Sequence, residues 1–107
     1  SSIDLENAIM AHPAVAEAAV VGIEHPKWQE RPLALVVLRP GAGDVGKEDI
    51  LDSIGDRFAK WQRPDEVLFV KEIPKTSVGK FSKKDIRAQY AGYYLTPAPG
   101  RGGRRLP

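Results

Sequence analysis

The sequence predicts a small α+β domain: a three-stranded sheet covered by two to three helices, with a protruding turn built around a lysine. Three observations carry this. Two short runs, "AVAEAAVVGI" (14–23) and "RPLALVVLRPG" (31–41), are apolar almost throughout, as strands buried on both faces are. The stretch "KEDILDSIGDRFAKW" (47–61) instead has helical periodicity, with Ile50, Leu51, Ile54, Phe58 and Trp61 on one face. A chain of 107 residues can enclose one core, and so few strands need helices to cover them.

The elements follow in order. "SIDLENAIMAHP" reads as a short helix: Leu5 and Ile9 share a face, Asp4 and Glu6 stand early where the helix dipole favours acids, and Pro13 stops it. The two apolar runs come next, joined by the polar "EHPKWQE". "GAGDVG" is a loop, and the 47–61 helix runs until Pro64. "EVLFVKEIP" is the third strand, with Val67 and Phe69 alternating against Leu68 and Val70. "KTSVGK" is a tight turn in which Gly79 can take positive φ. "SKKDIRAQYAGYY" closes the fold as a helix with Ser82 as N-cap, Asp85 three residues on, and Ile86 and Tyr90 facing inward. The domain is expected over 1–95 and a disordered basic tail over 96–107, where "TPAPGRGGRRLP" has little to bury.

Composition narrows the function. No apolar run approaches the length of a transmembrane helix, and the first residues are acidic where a secretion signal is basic. There is no cysteine, hence no disulfide, thiolate nucleophile or thiolate zinc site, and a cytoplasmic location is expected. The net charge is +2, but acids dominate residues 1–59 and bases residues 60–107, which favours an anionic partner for the second half. His12 and His25 each precede a proline, so they read as turn residues rather than as a catalytic base or a metal ligand.

The stretch that asks for a function is "IPKTSVGKFSKK" (73–84). It is not a nucleotide P-loop, because Pro74 stands where the first glycine belongs and Phe81 follows the lysine where Ser or Thr is required. Pro74 stiffens the turn's entry, Gly79 reverses the chain, and Phe81 anchors its exit. Lys80 is thereby held out as a point charge on a long stem, with Lys75, Lys83 and Lys84 as a solvated positive rim. A small basic nucleic-acid-binding module, using this turn and the "GRGGRR" tail, is the alternative from a different class.

"IPKTSVGKF" resembles the Pro-Lys-Thr-x-x-Gly-Lys motif near the C-terminus of adenylate-forming enzymes. The likeness covers about residues 1–92: "SSIDLENAIMAHPAVAEAAVVGIEHPKWQERPLALVVLRPG" is similar to the segment after that superfamily's hinge, and "FAKWQRPDEVLFVKEIPKT" to the run into its catalytic lysine. Trp28, Trp61 and "KWQ" are most like the medium- and long-chain fatty acyl-CoA synthetases, with an aryl- or short-chain acyl ligase as the alternative within the superfamily.

The resemblance implies the C-terminal domain of an AMP-forming acid–CoA ligase, inactive alone, whose large N-terminal domain binds ATP with Mg2+ and the fatty acid. It implies that Lys80 bridges the carboxylate and the α-phosphate during adenylation, and that no metal is held by this chain. It further implies a second face, around residues 1–6 and 22–30, turned toward CoA for thioester formation. Lys27, Lys60 and Arg63 are candidates for the CoA phosphates by charge and placement. Glu6 matches a frequent family glutamate that is equally readable as structural. Trp28 reads as an anchor of its own loop or a neighbour of the CoA adenine, and Trp61 as a cap on the helix–sheet core. Gln29 departs from the pattern, standing where relatives often have glycine. No nucleic-acid partner follows from this reading.

Overall fold

A computed structural model describes residues 2–96. The order is α1 (Ser2–Met10), β1 (Val15–His25), β2 (Gln29–Leu38), α2 (Lys47–Ile54), β3 (Glu66–Phe69) and α3 (Lys83–Tyr90). β2 is central, antiparallel to β1 and parallel to β3, so α2 lies in the crossover that a parallel pair requires.

Both faces of the sheet are covered, as the unbroken apolar runs imply. Ala18, Val20, Ala34, Val36 and Val67 meet Leu5 and Ile9 of α1 and Ile50 and Ile54 of α2 on one side. Ala19, Val21, Ile23, Leu33 and Leu35 meet Ile73, Ile86 and Tyr94 on the other. The period-two alternation of a strand deals neighbouring residues to the two cores. The α+β class and the three-stranded sheet between helices are as the sequence predicts.

Three elements differ from the sequence reading. α2 stops at Ile54, not at Trp61, because Gly55 takes φ 65° and breaks the helix. Phe58 still packs against the first core from the loop, but Trp61 is 71% exposed and caps nothing. The β1–β2 hairpin is longer than the apolar runs suggest. It pairs through His25 and Gln29 around the turn 26–28, in which the His25 Nδ1 accepts the Lys27 N–H at 3.1 Å. His12 Nδ1 likewise accepts the Ala14 N–H at 3.0 Å, so both histidines serve their turns. β3 ends at Phe69, leaving Val70 and Lys71 outside it.

A proline within a central strand needs an explanation. Pro32 faces Gly22 across the antiparallel pair, and its carbonyl points away from β1, accepting from the Asp65 N–H at 3.1 Å and the Tyr94 hydroxyl at 2.8 Å. Pairing with β3 begins only at Leu33, so the missing Pro32 N–H falls where no ladder partner stands. Tyr94 is buried there. Burial first, then the Asp65 and Glu66 carboxylates, push its hydroxyl well above the ordinary tyrosine range.

Candidate functional site

The lysine turn is a small hairpin in its own right. Lys75 and Phe81 bridge its arms, the Thr76 N–H donates to the Lys80 carbonyl at 2.7 Å, and the Ser82 N–H donates to the Pro74 carbonyl at 2.8 Å. Gly79 reverses the chain at φ 85°. The base is fixed to the sheet by Lys75, whose Nζ lies 3.1 Å from Glu17 on β1 and 5.6 Å from the centre of the Phe81 ring. Ser82 then caps α3, its Oγ accepting the Asp85 N–H at 3.3 Å. Lys80 is exposed, and its ammonium makes no ion pair or hydrogen bond to another described residue. A rigid mount therefore carries an unpaired cation.

The rim around it is only in part the solvated one expected from the sequence: Lys84 is exposed, but its two companions are engaged. Lys75 is taken up by Glu17, and Lys83 reaches back to Glu6 at 2.6 Å and to the Val20 carbonyl at 2.9 Å. Glu6, 7% exposed, also accepts the Val20 N–H at 2.7 Å, which settles its role in this fold as structural.

Along β1 lies a groove of about 890 Å³, whose lining includes Trp28, Trp61, Phe58, Lys60, Gly22 and Ser2. It draws on both segments that the resemblance assigns to the second face. Trp28 is 59% exposed, with the Lys27 ammonium 4.9 Å from its ring centre. Of the three cations singled out from the sequence, Lys60 lines the groove, Lys27 flanks it on Trp28, and Arg63 is turned toward α2, donating to the Leu51 carbonyl at 2.9 Å. Lys80 is not among them. Its hairpin is anchored at Glu17, near the start of β1, whereas the groove takes Val20, Val21 and Gly22 from the middle of that strand and Trp28 from the turn beyond it.

Sequence reasoning missed Trp61 as a groove residue, together with Arg31 and Asp65, which line the same groove. The Arg31 Nη2 lies 2.6 Å from the Asp65 carboxylate, and the same guanidinium donates to the Trp61 carbonyl at 2.7 Å and the Arg63 carbonyl at 2.9 Å. The one local signal was the glycine at 55, which frees residues 56–65 from the helix. Among the described residues no group of His, Asp or Glu side chains is arranged to hold a metal ion.

A small α/β/α layer that presents a lysine on a hairpin and, on another part of its surface, an aromatic groove is the class of module that fold and site define. The chain belongs to the AMP-binding enzyme C-terminal domain family, whose model matches residues 4–80. It is 57% identical over 94 residues to a long-chain-fatty-acid–CoA ligase of Thermus thermophilus, covering 88% of this chain and 17% of that protein. It is 36% identical over 95 residues to a medium-chain-fatty-acid–CoA ligase of Ectopseudomonas oleovorans, covering 89% and 17%. Its fold matches apo MatB from Rhodopseudomonas palustris with a TM-score of 0.82 at 32% identity, covering 87% of this chain and 18% of that one. A Mycobacterium tuberculosis fatty acyl CoA synthetase matches with a TM-score of 0.74 at 34% identity, covering 83% and 17%. The chain thus spans about a sixth of the length of these relatives.

Proposed function

We propose that this chain serves as the small, repositioning domain of an AMP-forming fatty acid–CoA ligase and works with a much larger domain that holds ATP, Mg2+ and the acyl group. The observation that carries this is Lys80, an uncommitted ammonium at the end of a hairpin that is itself clamped to β1. When a carboxylate attacks the α-phosphate of ATP, two anions must approach and charge develops on the phosphoryl oxygens. A preplaced cation lowers that repulsion and stabilises the transition state. Identity to ligases of long- and medium-chain fatty acids supports a fatty acyl substrate.

The groove supports a second task. Two exposed indoles and the Lys60 and Lys27 ammoniums suit a nucleotide with phosphates, the adenine end of CoA. Arg63 would join them only by giving up the Leu51 carbonyl. Lys80 does not line the groove, so the two tasks fall to different parts of the domain's surface. This separation supports two orientations of the domain, one for adenylation and one for thioester formation.

The test is Lys80→Ala in the enzyme that carries this domain. Pyrophosphate exchange should fall by about 10² to 10³, while thioester formation from ready-made acyl-adenylate and CoA persists. Unchanged pyrophosphate exchange would overturn the reading.

A further inference from the structure

Residues 56–65 connect α2 to β3 with few backbone bonds of their own: the Gln62 N–H to the Ala59 carbonyl at 2.9 Å and the Arg63 N–H to the Lys60 carbonyl at 3.2 Å. Trp61 at the crest is mostly solvent-exposed, so no core packing fixes it. Phe58 packs on the first core, the Gln62 Oε1 accepts the Ala59 N–H at 2.8 Å and Arg63 donates to the Leu51 carbonyl, but the widest set of bonds to this turn comes from Arg31 on the neighbouring strand. Its Nε and Nη2 grip the Asp65 carboxylate at 2.9 and 2.6 Å, its Nη1 reaches the Trp61 carbonyl at 2.7 Å, and Nη2 also reaches the carbonyls of Arg63 at 2.9 Å and Lys60 at 3.4 Å. Asp65 is held from its other side by Lys47, whose Nζ donates to its carbonyl at 2.9 Å. The Arg31 side chain is only 13% exposed.

From this we infer that Arg31 is a positioning residue for the CoA half-reaction, an assignment that rests on the groove being the CoA site. The guanidinium forms part of the groove's wall, but it spends Nε, Nη2 and one bond of Nη1 on Asp65 and on the carbonyls of the turn. It sets the direction of the backbone at Lys60 and Trp61, and so keeps the ammonium and the indole aligned across the groove from Trp28. A planar fork with five donors on three nitrogens can reach acceptors spread over several residues, whereas a lysine's three donors radiate from one nitrogen. The Lys80 hairpin does not share these bonds, so the effect is confined to one half-reaction.

The experiment uses the enzyme that carries this domain, with Arg31→Lys, Trp61→Ala and Lys60→Ala compared in both half-reactions. Arg31→Lys keeps the charge and avoids the unpaired Asp65 that an alanine would leave. It should raise the KM for CoA by about tenfold with saturating acyl-adenylate, while kcat and pyrophosphate exchange stay within about twofold. In combination with Trp61→Ala the effects should not multiply, since Arg31 acts through that residue. If Trp61→Ala and Lys60→Ala leave the KM for CoA unchanged, the groove reading itself falls. If they raise it and Arg31→Lys does not, only the positioning role is overturned. Equal losses in both half-reactions, or fully multiplying effects, would also overturn it by making Arg31 a support of the fold at large.

Discussion

Glu6 and Lys83 stand 77 positions apart and meet at 2.6 Å around the outer edge of β1. Glu6 comes from the helix on one face of the sheet and Lys83 from the helix on the other. Between them they take the N–H and the C=O of Val20, the outward-facing backbone groups of an edge strand. An unpaired edge invites another strand, and here an ion pair closes it while tying the two helical layers together. Lys83→Met should cost about 1–2 kcal/mol, below the figure for a fully buried pair because Lys83 is 29% exposed. Glu6→Gln keeps an acceptor for the Val20 N–H and should cost less. Urea unfolding of the two variants measures the difference, and the reverse order would refute the clamp.

Gln29 takes φ 65° at the start of β2, a conformation that strains any residue with a Cβ. Gln29→Gly should therefore stabilise the domain by about 1 kcal/mol, the release of strain outweighing the added freedom of the unfolded chain. A thermal melt showing no gain would mean the hairpin turn relaxes at no cost.

Tyr94 links stability to alkaline pH. Its hydroxyl stays neutral in the folded state because burial and the nearby acids raise its pKa, whereas in the unfolded chain it ionises near pH 10. A raised folded value means that its contribution is complete below pH 10 and is lost as pH climbs beyond it. Tyr90, also raised by burial, adds to the same slope. Tyr94→Phe should lose about 1 kcal/mol at neutral pH, the worth of one hydrogen bond to Pro32. Its stability should also fall less steeply above pH 10. Denaturation at several pH values from 8 to 11 shows whether the two curves converge.

Trp28 and Trp61 are the chain's two tryptophans, and both flank the groove. If the groove takes CoA as proposed, adding CoA to this domain should change their emission, and Trp61→Ala should remove much of that change. The same variant should keep its stability to within about 0.5 kcal/mol, since the residue is mostly exposed and outside both cores. A large drop in melting temperature would show that Trp61 supports the fold after all.

The order of elements, the two-sided burial of the strands and the Ser82 cap were legible because each rests on residues close in the chain. Helix α2 was read too long because Phe58 and Trp61 happen to continue its apolar period past Gly55. Only positive φ at that glycine decides the matter, and a residue's φ is not written in hydropathy. Lys83 looked like one of several surface cations, since its partner lies on another helix. Arg31 beside a proline at a strand's start gave no sign of an acid 34 residues later. The position of Lys80 was legible from its motif, but the commitment of its neighbours Lys75 and Lys83 was not.

The mixed pairing of β2 also fixes an order of assembly. The β1–β2 hairpin closes through the turn 26–28, whereas β3 reaches β2 only after the segment 39–65 has folded back. By chain entropy alone the second closure is costlier by about 2 kcal/mol, so the hairpin should lead and β3 follow. Arg31 and Asp65 span that later junction. Weakening their contact should leave the folding rate nearly untouched and hasten unfolding instead, so the wall of the groove built by residues 58–65 would close last, onto a hairpin wall already in place.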